Sequence, residues 1–120
     1  GSGGASKAVQ YALKELLLDS KVVSRTPKKL QLSYAQLTKK IMQEYTLVIN
    51  CTPLGTAPNT CEFPDIPYHL LGPQHLVFDL IYNPEETVFL SKAKAQGTQI
   101  KNGYEMLLFQ AEASWKIWKK

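Results

Sequence analysis

The stretch Gly1-Ser2-Gly3-Gly4-Ala5-Ser6-Lys7-Ala8-Val9 decides how this chain is read. Three glycines followed at once by helix-forming residues describe a phosphate-cradling turn that opens a helix. Gly1 permits a tight turn, and Gly3 lets a backbone approach a pyrophosphate. Ala5 or Ser6 is small enough for the helix to pack closely on a sheet. The helix behind the turn offers free N–H groups and the positive end of its dipole to an anion. A Gly-Ser-Gly-Gly opening also has the composition of an expression linker. Two features favour the phosphate turn: the helix follows without further Gly/Ser, and a basic cluster lies 24 residues on, from Arg25. Such a turn normally follows a buried strand, and the sequence has none before Gly1.

The rest of the chain alternates between strand and helix patterns. Apolar residues at Ala5, Ala8/Val9, Ala12/Leu13 and Leu16/Leu17 recur at helical spacing, predicting a helix over 5–18 with one buried face. Lys21-Val22-Val23-Ser24-Arg25 reads as a short strand, and Thr26-Pro27 as the cap and first position of a helical turn. In a dinucleotide-binding unit the end of this strand meets the adenosine ribose. An acidic residue there holds the 2′-hydroxyl, whereas an arginine accommodates a 2′-phosphate. Here the residue is Arg25, backed by Lys28 and Lys29; a solvated basic turn is the plainer alternative. An edge strand at 30–33, a turn at 34–37 and a short helix capped by Thr38 and running to Glu44 come next.

Leu47-Val48-Ile49 reads as a strand buried on both faces, as in a parallel sheet. It ends in Asn50-Cys51-Thr52-Pro53-Leu54-Gly55, polar residues where open α/β sheets receive ligands. Pro53, Pro58, Pro64 and Pro67 make 53–68 a loop. One helical turn at 68–71, stopped by Gly72, precedes a buried strand at 76–82. Asp79 inside that strand must be hydrogen-bonded or near its exit, which favours a structural role. Pro84-Glu85-Glu86-Thr87 opens a helix with acids in its first turn; its apolar members are Val88, Leu90, Ala93 and Ala95, and Gly97 stops it. Thr98–Lys101 is a last strand. Asn102-Gly103 turns into a final helix, 104–118, with Gln110 on its otherwise apolar stripe, either satisfying a backbone group or facing a ligand cleft. The order is that of an α/β, Rossmann-like fold: a mainly parallel sheet with helices on both faces, the first strand absent from the chain. The strands at 21–25 and 46–51 then lose their shared neighbour. The gap is expected either to take a strand from elsewhere or to close by direct pairing.

One hundred and twenty residues make one domain, and 44% hydrophobic content allows a modest core. No apolar run approaches the ~20 residues of a membrane helix, and no signal peptide is visible. A net charge of +4 suits an anionic small ligand and gives little support for nucleic acid, which would need interleaved basic and aromatic residues. Cys51 and Cys61 form no C-x-x-C, and His69 and His75 are not at metal-ligand spacing. They read as reduced thiols in a cytoplasmic protein with no metal site.

These residues together resemble the NADP-binding domain of the shikimate dehydrogenase family. The glycine turn is similar to the family's glycine-rich loop. Ser24-Arg25-Thr26 resembles its Asn-Arg-Thr motif, with Ser24 in place of Asn. Ile49–Gly55 resembles its Asn-Ala-Thr-Pro-x-Gly segment. Phe78–Pro84 and Asn102–Leu107 with Gln110 complete the set, five motifs in order over nearly the whole chain. The resemblance implies cofactor-binding roles for Gly1, Gly3, Gly4, Ala5, Ser24, Arg25, Thr26, Lys28, Asn50, Thr52, Gly103 and Met106. Arg25 would grip the 2′-phosphate, and Gly103 and Met106 would sit by the nicotinamide. Tyr82 and Gln110 would touch shikimate or 3-dehydroshikimate. Tyr104 departs from the family's usual Leu.

The implied partners are NADP and a small-molecule substrate, with no nucleic acid and no membrane; a homodimer is compatible with the resemblance. The family's catalytic lysine and aspartate lie in an amino-terminal substrate domain not found in these 120 residues. The expectation is therefore the cofactor-binding portion of an NADP-dependent shikimate dehydrogenase, itself inactive. The alternatives are a quinate/shikimate dehydrogenase, which an acidic residue at position 25 would have favoured, and a binding-only nucleotide domain.

Overall fold

Three short strands, β1 (Leu47–Asn50), β2 (Leu76–Asp79) and β3 (Gln99–Lys101), form a parallel sheet in the order β1-β2-β3. The structure, a computed structural model, describes residues 1, 3–106 and 108. Leu47 pairs with Leu76 and Asn50 with Asp79, so the carboxyl ends of β1 and β2 finish level. Leu76 pairs with Gln99 on the other side. Parallel neighbours need a crossover. Between β2 and β3 it is the helix α3 (Val88–Lys94); between β1 and β2 it is the proline-rich loop, with a single 3₁₀ turn at Tyr68–Leu70. Two further helices precede the sheet, α1 (Gly4–Glu15) and α2 (Lys39–Glu44).

The helix signals work locally as the sequence suggests. The Thr38 hydroxyl accepts from the Ile41 N–H and the Thr87 hydroxyl from the Leu90 N–H, each capping its helix. Because Thr87 is the cap, Glu85 and Glu86 precede the first turn of α3 and do not lie within it. Glu86 instead accepts a hydrogen bond from Ser91. Helix α1 ends at Leu16. The Leu18 N–H reaches the Leu13 carbonyl and the Leu17 N–H the Lys14 carbonyl, the double bond of a Schellman motif. Leu17 occupies the left-handed position, φ +59°, where glycine is the usual residue.

The core is built around α3. Phe89, Leu90 and Ala93 are buried, with Val77, Leu71, Ile66 and Met42 packed into the same cluster. Leu90 and Ala93 of the expected stripe are buried, while Phe89 joins them and Ala95 is exposed, so the buried face is shifted toward Phe89. Phe89 also meets the ring of Tyr68 edge-on at 6.3 Å.

Three expectations are corrected on the amino-terminal side. Residues 21–25 and the expected edge strand at 30–33 form no ladder: Val23 and Leu32 make a single parallel bridge. Strand β1 is not buried on both faces, since Leu47 is exposed and Val48 and Ile49 are only half-buried. Helix α1 buries Ser6 alone, not an apolar face. The three share one cause. The gap between residues 21–23 and β1 neither takes a strand nor closes; among the described residues, β1 is laddered to β2 alone. A hollow of about 300 Å³ remains, lined by Val22, Val23, Leu47 and Ile49 and by Val9 and Leu13 of α1. Helix α1 has the pattern to cover a strand there, and no strand lies beneath it.

Candidate functional site

The site is assembled at the carboxyl ends of the strands, where each chain segment turns away from the sheet. Its amino-terminal wall is the glycine turn. The Gly1 nitrogen donates to the Val23 carbonyl at 2.8 Å, tying the turn to the segment that carries Arg25. A Cβ built on Gly1 would press on Thr52 Cγ2 at 3.1 Å, whereas Gly3 and Gly4 have open space around them. Gly3 is the N-cap of α1, and among the described residues no side chain caps the first turn. A side chain at Gly3 or Gly4 would meet open space, so the start of this 12-residue helix has room beside it for an anion.

Beside it, the Ser24 side chain is buried and its hydroxyl accepts from the Thr26 N–H at 3.2 Å. Serine at this position thus closes the turn from within, while Arg25, Thr26 and Lys28 stand exposed. The Gln31 side chain accepts from the Lys28 N–H at 3.1 Å, shaping the basic loop.

The centre of the site is a buried hydrogen-bond relay. Asn50 Oδ1 accepts from the Thr52 N–H at 3.0 Å and from the Thr52 hydroxyl at 2.6 Å. Thr52 Oγ1 accepts in turn from the Leu54 N–H. Asn50 Nδ2 donates to Asp79 Oδ1 at 3.1 Å, the Ile81 N–H donates to the same oxygen at 3.0 Å, and the Thr87 hydroxyl donates to Oδ2 at 2.7 Å. Asp79 is fully buried at the last position of β2, the strand exit that its sequence context required. Burial pushes its carboxyl above the ordinary range. The hydrogen bonds from Thr87, the Ile81 N–H and Asn50 pull it back only in part.

The carboxyl-terminal wall is the Asn102-Gly103 turn. The Gly103 N–H donates to the Ile81 carbonyl at 3.1 Å, and a Cβ on Gly103 would collide with the Leu80 carbonyl, so only glycine fits. Asn102 holds the turn from both sides: its Nδ2 donates to the Glu85 carbonyl and its Oδ1 accepts from the Tyr104 N–H. Met106 is half-buried beside it, and Tyr104 and Tyr82 are exposed. Gln110 and the rest of the last helix expected from the sequence, residues 109–118, lie outside the described residues.

Asn50 and Thr52 therefore lie at the end of β1 and Gly103 just after β3, whereas the glycine turn and the Ser24-Arg25-Thr26 turn adjoin no ladder strand and are linked through the Gly1–Val23 bond. Asn50 is placed differently from the expected cleft-lining role. It is buried, with its oxygen taken by Thr52 and its nitrogen by Asp79. Two members of the relay were not foreseen as part of a site, Thr87 and Ile81. The sequence signal for Thr87 was its capping position after Pro84-Glu85-Glu86; the Ile81 backbone gave none. Both cysteines are free thiols. Among the described residues no group of metal-binding side chains occurs, and no helix is long and apolar enough to cross a membrane.

No protein-family model matches the chain. A shikimate dehydrogenase (NADP(+)) of Clostridium botulinum is 38% identical over 126 aligned positions, covering 98% of this chain and 48% of the relative. Among solved structures, a chorismate mutase/shikimate 5-dehydrogenase fusion protein from Clostridium acetobutylicum superposes with a TM-score of 0.83 at 38% identity, over 98% of this chain and 45% of its own. Shikimate 5-dehydrogenase from Thermus thermophilus in complex with NADP(H) and shikimate gives 0.81 at 30% identity, over 98% and 46%. The chain spans about half the length of the curated relatives that it matches end to end. The sequence alignment and the superposition each take in 98% of the chain: it belongs to the shikimate dehydrogenase family.

Proposed function

We propose that these residues are the cofactor-binding portion of an NADP-dependent shikimate dehydrogenase, which interconverts 3-dehydroshikimate and shikimate. The observation that carries the reading is the 2.8 Å bond from Gly1 to Val23, which ties the glycine turn that opens α1 to the segment leading into the exposed Arg25. The open surface over Gly3, Gly4 and Ala5 fits a pyrophosphate, and the turn closed by Ser24 presents Arg25, Thr26 and Lys28 to a ribose 2′-phosphate. A guanidinium matches phosphate in bidentate geometry.

Bound NADPH supplies the hydride for the ketone. This chain's residues orient it. Asn50 shapes the turn that offers Thr52, and Gly103 and Met106 form the nicotinamide wall. Tyr82, 47% exposed in the segment after β2, is available to touch the substrate, and Gln110 shares that role by family resemblance. The free thiols fit a reducing, cytoplasmic setting.

The proton-transfer pair belongs to the substrate domain, and the hollow between Val23 and Ile49 is the place for the domain's first strand. Both are supplied by the longer polypeptide. The test is calorimetric titration of NADP⁺ into the 120-residue chain, with an assay of shikimate oxidation on the same sample. Binding without turnover is expected. Absence of NADP⁺ binding, or turnover by the chain alone, would overturn the reading.

A further inference from the structure

One carboxylate touches both walls of the cleft without reaching its surface. Asp79 Oδ1 accepts from Asn50 Nδ2, and Asn50 holds Thr52 by two bonds. The same oxygen accepts from the Ile81 N–H, and the Ile81 carbonyl accepts from the Gly103 N–H. Thr52 and Gly103 are thus joined through a single atom. The other oxygen, Oδ2, takes the Thr87 hydroxyl, which caps α3. All three partners of Asp79 are donors, so the geometry asks for an acceptor at both oxygens, and a carboxylate is the side chain of that size that offers two.

We infer that Asp79 is a positioning residue for cofactor binding: through Asn50 it fixes the Thr52 wall, through Ile81 the Gly103 wall, and so sets the separation of the two. This rests on the cofactor-binding reading above and deepens it. A capping role alone would use Oδ2 and leave Oδ1 without consequence for the cleft. Two buried groups left without partners cost enough to let the turns relax.

Exchanging the two side chains separates these effects. Asn50→Asp sets two carboxylates against each other at Oδ1. Adding Asp79→Asn returns an amide donor opposite the new carboxylate at position 50. That carboxylate can still accept from Thr52, but the Ile81 N–H now faces an NH₂ group. Amide hydrogen exchange and NADP⁺ titration are measured on the 120-residue chain, the two variants and Thr87→Val.

Asn50→Asp should speed exchange at Thr52 and weaken NADP⁺ binding by about tenfold or more. The double variant should restore slow exchange at Thr52 while exchange at Ile81 and Gly103 stays fast, and recover part of the affinity. Thr87→Val should lower the melting temperature and leave exchange at Thr52 and Gly103 slow, because Thr87 bonds only Oδ2. The inference is overturned if Thr52 is not restored in the double variant, if Ile81 and Gly103 never change, or if Thr87→Val speeds exchange at Thr52 as much as Asn50→Asp does. Should Asn50→Asp fail to fold, the double variant against wild type still gives the contrast between Thr52 and Gly103. Should the wild-type chain not bind NADP⁺, the functional reading falls, and the exchange pattern alone decides the role of Asp79.

Discussion

Helices α1 and α3 are both amphipathic and both lie next to β-structure, yet they meet opposite fates. Helix α3 spans 7 residues and buries three of them completely. Helix α1 spans 12 and buries one serine. The difference lies underneath them. Helix α3 packs on β2, which is laddered on both edges. Helix α1 stands over a slot with Val23 on one side and Ile49 on the other. An amphipathic stripe states which face a helix can bury; a partner decides whether it does. The exposed Leu16, Leu17, Leu18 and Leu30 all belong to the half without one.

This contrast predicts unequal sensitivity to truncation. Phe89→Ala should cost about 3–5 kcal/mol of stability, as core aromatic deletions do, whereas Leu16→Ala, an exposed site, should stay within about 0.5 kcal/mol. Urea denaturation of both variants checks it; similar losses would mean that the two halves are equally packed. A second test supplies the missing partner. Joining a short β-branched strand ahead of Gly1 should fill the slot and raise the melting temperature by roughly 4 °C or more, the shift that each ~1 kcal/mol gives in a domain of this size. No rise, with α1 as protease-sensitive as before, would break the comparison.

How far the fold could be read from the sequence follows the same line. Thr38 and Gly97 were legible because caps and left-handed stops are local chemistry, whereas Thr87 was read into the opening of its helix and is its cap. Asp79 was legible as a strand exit because a buried carboxylate needs donors. The burial of β1 and α1 was not, since it depends on a neighbour that periodicity does not report. Phe89 was missed because a 7-residue helix wedged between the sheet and Tyr68 has two buried sides, which a single stripe does not describe. At the site, Arg25 and Tyr82 drew notice in the sequence, one as the basic residue after Ser24 and the other through the family resemblance, and both side chains are exposed. Asn50, expected to line the cleft, turned inward, because its partner Asp79 lies 29 residues away and no spacing rule links them.

Smaller effects sharpen the picture on each side. Leu17→Gly should stabilise the chain by up to ~1 kcal/mol, by relieving a left-handed leucine that makes no buried contact; thermal melting measures it, and a loss would mean that Leu17 packs in solution. On the paired side, burial raises the Asp79 carboxyl above its ordinary 3.8 in the folded chain. The folded state then holds the proton more tightly than the unfolded one. This contribution is fully present below pH 3.8 and is lost as pH rises through the folded value. Between pH 7 and pH 4 the melting temperature of wild type should therefore rise relative to that of Asp79→Asn. A difference independent of pH would contradict the assignment.

The measurement that bears most directly on the central claim is the affinity of this chain for NADP⁺ and NAD⁺ before and after Arg25→Ala. A charge-assisted bond to the 2′-phosphate is worth ~1.5–3 kcal/mol, so NADP⁺ should weaken on the order of 10–100-fold. NAD⁺, which lacks that phosphate, should bind as before. Equal losses for the two cofactors would show that Arg25 supports the turn or meets phosphates common to both, and would contradict its assignment as the residue that selects NADP.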